Sequence, residues 1–281
     1  MQFEFPGTIA VPDGRYLVRE IAGERVLVIE TAGAPPPPRR RRSRPKEAGS
    51  IEDPAPLPLS RVTIVRAEEP FDSATDAEGW LDEATASEEE IDTLVGAGAD
   101  LLNRALHAHA AASDDPFGIQ LRPERASAVR IGHGSGKEVA ASRFTAAREV
   151  DVQGGGNARR RRDQELRPQE RLAAVLGGRE SIDACETLIL RARADLDAGR
   201  RREAALQLRV GLEAMLVELD GALADPDHEK DMAELGTRRG EAGGAANAAL
   251  RGDLPVDEER RVQELMVLCE RVLRRRRVLR G

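Results

Sequence analysis

Aromatic residues are nearly missing from this chain, at 2% of its 281 residues, with one Trp and one Tyr. Its apolar share, 40%, is carried by Leu, Val, Ile and Ala. Such material builds helices more readily than a β-sandwich. Lysine is scarce too, occurring only as Lys46, Lys137 and Lys230. The basic character is therefore arginine, which reads first as compositional bias, although arginine suits phosphate recognition. The two cysteines, Cys185 and Cys269, stand alone within helical patterns and exclude a disulfide scaffold. They read as buried thiols in a reducing compartment, with a bridge between packed helices as the alternative. No apolar run approaches the ~20 residues that span a bilayer. Met1-Gln2-Phe3-Glu4-Phe5 has neither a basic nor an apolar leader character. The expectation is a cytoplasmic protein with no membrane contact.

Net charge is −7 and the isoelectric point about 5.4. That excludes a whole-chain electrostatic footprint for nucleic acid, so phosphate binding would have to be local. The local candidates are four arginine runs: Arg39 to Arg42, Arg159-Arg160-Arg161-Arg162, Arg200 to Arg202, and Arg274-Arg275-Arg276-Arg277. They are read as lying in linkers, in a helix–helix turn and in a C-terminal tail, outside every apolar stripe.

The clearest β signal runs from residue 15 to 32. Tyr16, Val18 and Ile21 lead through Ala22-Gly23-Glu24 to Val26-Leu27-Val28-Ile29, which predicts a hairpin. The unbroken run Val26 to Ile29 predicts a strand covered on both faces. Residues 33–59 carry Pro35 to Pro38, the first Arg run, Pro45, Pro54, Pro56 and Pro58, and are expected to form a disordered or polyproline II linker. Val62 to Val65 predicts a short strand. Thr75 to Ala84 predicts a short helix. Ser87 and Glu90 form a capping box for a longer one, ended by Asp114-Asp115-Pro116. Gly96 and Gly98 within it suit a close approach to a sheet. Ile119 to Leu121 and Ala128 to Ile131 are further strand candidates. Gly154-Gly155-Gly156 and the second Arg run predict a linker over 153–167.

Beyond it three apolar stripes predict helices: Ile182 to Leu196, Ala204 to Leu223, and Val262 to Leu273. Gly199 is placed as the C′ residue of the first, and Asp225-Pro226 stops the second. Residues 240–249, rich in Gly and Ala, are expected to be loosely ordered. Within this region residues 188–216 resemble a single tetratricopeptide-like helix pair, with Leu188, Ala192, Gly199, Ala204 and Leu208 near its small and apolar positions. Asp195 and Leu216 replace its usual aromatic and proline, and no second copy follows, so an αα-hairpin describes it better. The fold class expected is α+β. A small mixed module (1–32 and 60–152) with a hairpin, further strands and one long helix precedes an antiparallel helical bundle (168–281).

Gly132-His133-Gly134-Ser135-Gly136-Lys137 is the one stretch with a chemical look. Backbone N–H groups of a Gly-rich turn cradle phosphates, and Lys137 adds charge. It fails the P-loop spacing and the dinucleotide spacing, and Glu138 opposes an anion. Gly132, Gly134, Gly136 and Lys137 are thus cofactor candidates of low specificity, with a hairpin turn as the plainer reading. His107 and His109 are two apart on a helix and point to opposite sides, while His133 and His228 lack partners at ligand spacing; no metal is expected. No catalytic residue and no cofactor are assigned. The reading that follows is a non-enzymatic interaction or regulatory protein whose bundle binds a protein partner or itself. Two alternatives stand beside it. One is a nucleic-acid-associated protein gripping phosphates through Arg159, Arg160, Arg161 and Arg162 and through Arg274, Arg275, Arg276 and Arg277. The other is a phosphate-handling enzyme using the Gly132 to Lys137 loop.

Overall fold

A computed structural model describes residues 1–20, 23–33, 57–66, 70–152 and 169–280. The chain divides into two compact units, residues 1–155 and 156–281. Two of the Arg runs lie outside the described residues: Arg39 to Arg42, and Arg159, Arg160, Arg161 and Arg162. Nearly all of the expected 33–59 and 153–167 linkers lie outside them too.

The first unit is a six-stranded antiparallel sheet in the order β2-β3-β4-β1-β5-β6. Its strands are β1 (Gln2–Pro6), β2 (Gly14–Glu20), β3 (Gly23–Ala32), β4 (Leu59–Arg66), β5 (Ala128–His133) and β6 (Ala146–Glu149). The hairpin β2–β3 forms as the sequence predicts, with Leu17 opposite Val26. β1 was not expected from the sequence, yet it lies inside the sheet between β4 and β5. The alternation Phe3-Glu4-Phe5 explains it: both rings turn to the core and Glu4 to the other face. Ile119 to Leu121 is not a strand. Asn103 instead takes both backbone groups of Leu121, donating to its carbonyl (3.0 Å) and accepting from its N–H (2.8 Å).

One sheet face carries Phe3, Phe5, Leu27, Ile29, Val62, Ile64, Val129 and Ile131. Against it pack α1 (Ala74–Ala84) and α2 (Glu88–Ala112), through Leu81, Val95, Leu101, Leu102 and Leu106. Ser87 Oγ accepts from the Glu90 N–H at 3.2 Å, closing the expected capping box. A Cβ on Gly98 would stand 2.6 Å from the Met1 sulfur, so this glycine lets α2 lie close to β1; Gly96 faces open space. The opposite face holds a row of charges across four strands. Arg61 bonds Glu4 (3.2 Å), Arg130 bonds the same Glu4 oxygen (2.9 Å), and Arg130 reaches Glu149 (3.1 Å). The short helix α3 (Gly136–Val139) follows β5.

The second unit is helical. Residues 169–176 form α4, followed by α5 (Ala184–Asp197), α6 (Arg201–Glu218), α7 (Pro226–Arg251) and α8 (Val256–Arg280). α5 and α6 make the expected αα-hairpin. Gly199 turns it with φ +71°, a conformation glycine adopts without strain, and the Glu218 carboxylate at the end of α6 accepts from the Cys185 N–H at the start of α5 (2.9 Å). Ile182 lies outside α5 and is exposed.

Residues 240–249 are not loose; they complete the 26-residue helix α7. Ala242, Ala245, Ala246 and Ala249 recur at helical spacing and are buried, so the best helix-forming residue also supplies the packing surface. α8 is longer than its apolar stripe, and Arg274 to Arg277 lie within it, not in a tail. The bundle core joins Cys185, Ile189, Leu208, Leu212, Met215, Leu235, Leu265, Met266, Cys269 and Leu273. No helix among the described residues is long and apolar enough to cross a membrane.

Candidate functional site

The stripe Val262, Leu265, Met266, Cys269, Val272 and Leu273 advances by three or four residues, and the next position in register is Arg276. This arginine is buried like the residues before it, at 5% exposure. A buried guanidinium is tolerated only when paired. Arg276 bonds Glu186 on α5 (3.2 Å) and pairs with Asp183, just before α5. Glu186, also buried, takes a second guanidinium from Arg171 of α4 at 2.5 Å. Its carboxylate raises Arg171 further above the ordinary arginine value.

Arg275 turns toward the start of α7 and reaches Asp227 (2.8 Å), Asp225 (3.4 Å) and buried Asp231 (3.4 Å). Arg271 adds bonds to Asp231 (2.9 Å) and Glu234 (3.1 Å). Asp225 also caps α7, accepting from the His228 N–H at 2.8 Å. Bonding to Arg275 holds the Asp227 carboxyl below its ordinary range. The end of α8 is thus tied to the starts of α5 and α7 by a network of arginine and carboxylate. Arg274 and Arg277 remain exposed, without an ion pair among the described residues. The expectation that no Arg run enters an apolar stripe is corrected here, because Arg276 occupies a core position.

The eight arginines singled out for phosphate contact therefore fall into three groups. Arg275 and Arg276 already hold carboxylates, and Arg274 and Arg277 face solvent. Arg159, Arg160, Arg161 and Arg162 lie outside the described residues, so no geometry joins them to the α8 run.

The run Arg200 to Arg202 is likewise engaged. Arg200 bonds Asp195 (2.7 Å), Arg201 bonds Glu259 (2.9 Å), and Arg202 donates to the Ala249 carbonyl (2.8 Å). These guanidinium groups fasten the α5–α6 turn to itself and to α7 and α8.

The Gly-rich stretch divides. Gly132 is a strand residue opposite Ala147, and a Cβ there would stand 2.5 Å from the Ala146 carbonyl oxygen. A Cβ on Gly134 would meet the Thr145 nitrogen at 2.9 Å, where the chain returns and Thr145 N–H donates to the His133 carbonyl. Close backbone approach accounts for both glycines. Gly136 and Lys137 are exposed in a helix of four residues whose Glu138 and Val139 N–H groups already bond the Ser135 carbonyl.

His228 is buried on α7 beside Asp231 in the inward stripe, and neither ring nitrogen has a hydrogen-bond partner. His107 is exposed and His109 half-buried near the end of α2. Among the described residues no group of three His, Cys, Asp or Glu side chains could hold a metal ion. Burial pushes the Cys185 and Cys269 thiols up to about 12, which removes their thiolate character at neutral pH.

The sequence reading passed over Asp183, Glu186, Asp231 and Arg171. The signal that reaches them is the register of Arg276: a charge at a core position demands carboxylates from facing helix ends. The outer faces of the bundle carry a different pattern. Val210 and Val217 on α6, and Val256, Val267 and Val278 on α8, are more than half exposed. The α8 valines fall about three turns apart, on one line along the helix. Comparison with family models, with curated proteins and with solved structures found no match.

Proposed function

We propose that the helical unit is a protein-interaction module, non-enzymatic, whose outer faces dock a protein partner or a second copy of the chain. The observation that carries this reading is the recurrence of solvent-facing valines on α6 and α8. Valine is a poorer helix former than Ala, Leu or the long charged residues, because its branched Cβ restricts χ1. Neither local propensity nor packing within the unit accounts for five of them on outer faces. Exposed valines aligned along one side of a helix offer a partner a line of apolar contact points. The arginine–carboxylate network fits the same role, since it fixes helix ends and so keeps the outer faces rigid.

The reading is tested with the full chain in two double variants, Val210→Lys with Val217→Lys and Val267→Lys with Val278→Lys. Sedimentation velocity across a concentration range reads self-association, and cross-linking in a host lysate reads partner capture. The expected result is loss of association in at least one variant with an unchanged melting temperature. Association equal to the unmodified chain in both variants rejects the proposal.

A further inference from the structure

The one tryptophan of the chain is half-buried, packed against the margin of the sheet core. Trp80 lines a cleft of about 550 Å³ between α1 and the start of α2, floored by Ala84 and Leu94 and edged by Glu83, Glu89 and Glu90. Its ring meets that of Phe71 at a centroid distance of 5.5 Å with the planes tilted, and Phe71 in turn meets His133 at 6.3 Å in a T-shaped contact.

The carboxylates around this cleft are not equivalent. Glu90 is used by the capping box, where it accepts from Ser87 Oγ at 3.1 Å. Glu89 suits the first turn of α2, where the helix dipole favours negative charge. Glu83 has no such reason to be where it is. It stands in the last turn of α1, where the dipole disfavours an anion, and that turn holds no basic residue. Its neighbour Asp82 is neutralised by Arg148, which also donates to Thr85 (2.7 Å). Glu83 has no ion pair among the described residues, and neither has Glu89. An apolar floor, a half-buried indole and two carboxylates without an ion pair therefore share one cleft.

We propose that the α1–α2 cleft docks an arginine-bearing segment of a protein partner, its guanidinium lying on the face of Trp80 beside Glu83 and Glu89. Charge complementarity selects the class of occupant. The cleft is anionic, tryptophan is the strongest aromatic partner for a cation, and an arginine side chain matches both its planar head and its apolar stem to such a floor. Guanidinium is favoured over ammonium because it stacks on the indole and is more weakly hydrated. This site lies in the sheet unit and stands independently of the docking faces proposed for the helical unit.

A single tryptophan makes the cleft self-reporting. The experiment titrates the full chain with a blocked hexapeptide of alternating alanine and arginine and follows Trp80 fluorescence, with the lysine and glutamine versions of the peptide as comparisons. The expected result is a saturable change with the arginine peptide, weaker binding of the lysine peptide, and none with glutamine. Glu83→Gln combined with Glu89→Gln should weaken the arginine peptide at least tenfold, while the melting temperature stays that of the unmodified chain. Three outcomes overturn the proposal: no saturable change with the arginine peptide, equal saturation by the glutamine peptide, or undiminished affinity in the double variant. A fourth does so differently. If the chain responds only after Arg39 to Arg42 and Arg159 to Arg162 are replaced by Gln, the occupant is its own Arg segment and not a partner.

Discussion

The sheet unit and the helical unit are both laced by arginine and carboxylate, in opposite surroundings. Across the strands, Arg61, Glu4, Arg130 and Glu149 form a ladder that water reaches from its outer end, with the Glu149 side chain 61% exposed and that of Glu4 13%. At the bundle end, the side chains of Arg276 and Glu186 are 6% and 4% exposed. The groups are chemically alike, and solvent makes them different. An exposed pair gains little, because water already serves both ions and salt screens what remains. A buried pair has surrendered that hydration, so each member depends on the other. An arginine run in a sequence therefore has no fixed meaning. Arg274 and Arg276 stand two residues apart, and one meets solvent while the other meets the core.

The largest expected effect tests that contrast within one run. Arg276→Gln leaves buried Glu186 and half-buried Asp183 short of a cation, and should lower stability by about 3–5 kcal/mol, read from urea unfolding of the full chain. Arg274→Gln and Arg277→Gln should stay within about 0.5 kcal/mol. Equal losses at all three positions would remove the distinction between core and surface.

The next effect concerns the glycines. Gly132→Ala forces a methyl group against the Ala146 carbonyl and should cost about 1–3 kcal/mol by overpacking. Gly136→Ala meets nothing within 4 Å and should be close to neutral in the same unfolding assay. A phosphate cradle would reverse the emphasis, sparing stability at Gly132 and abolishing anion-dependent stabilisation.

On the sheet face Arg130→Gln should cost about 1 kcal/mol or less, and the loss should shrink as salt is raised toward 1 M. A loss as large as that of Arg276→Gln would make the two units alike after all.

The smallest effect at neutral pH concerns the thiols. With both cysteines held at about 12, iodoacetamide at pH 8 should leave the folded chain unlabelled and label it fully in urea. The linkage has a definite sign. A thiol whose folded value lies above its unfolded value contributes stability that is complete below about pH 8.5, the ordinary thiol value. That contribution is lost as pH rises toward the folded value. The helical unit should therefore weaken in alkali through Cys185 and Cys269, and Cys→Ser variants should blunt the dependence.

Much of the architecture was legible in the residues. The hairpin, the capping box at Ser87, the turn at Gly199 and the α+β class all followed from period, capping chemistry and glycine placement. What escaped had physical causes. β1 is only five residues long, and its two phenylalanines gain meaning from strands far along the chain. Helix α7 was hidden because alanine gives weak hydrophobic contrast, so a buried Ala stripe looks like a linker. The charge network was hidden because its members come from α4, α5, α7 and α8. Only Arg276, sitting in register with Leu273 and Cys269, carries a local sign of it. The Trp80 cleft left a fainter one, in the i,i+3 spacing that puts Trp80 and Glu83 on one side of α1.

The place of β1 in the sheet has a consequence for the time course of folding. Gln2 lies opposite Thr63 on one side and Arg130 on the other, so a strand made early waits for partners made much later. In the helical unit α5, α6, α7 and α8 mostly meet the helix next in sequence. Distant pairings require large loops to close before any contact rewards them, and folding slows as the mean separation of contacts grows. The two units should then mature at different speeds from one chain, with the bundle settling first. During that interval the edges of β4 and β5 that await β1 are exposed to any other extended chain, and this is the stage at which the protein is most open to mispairing.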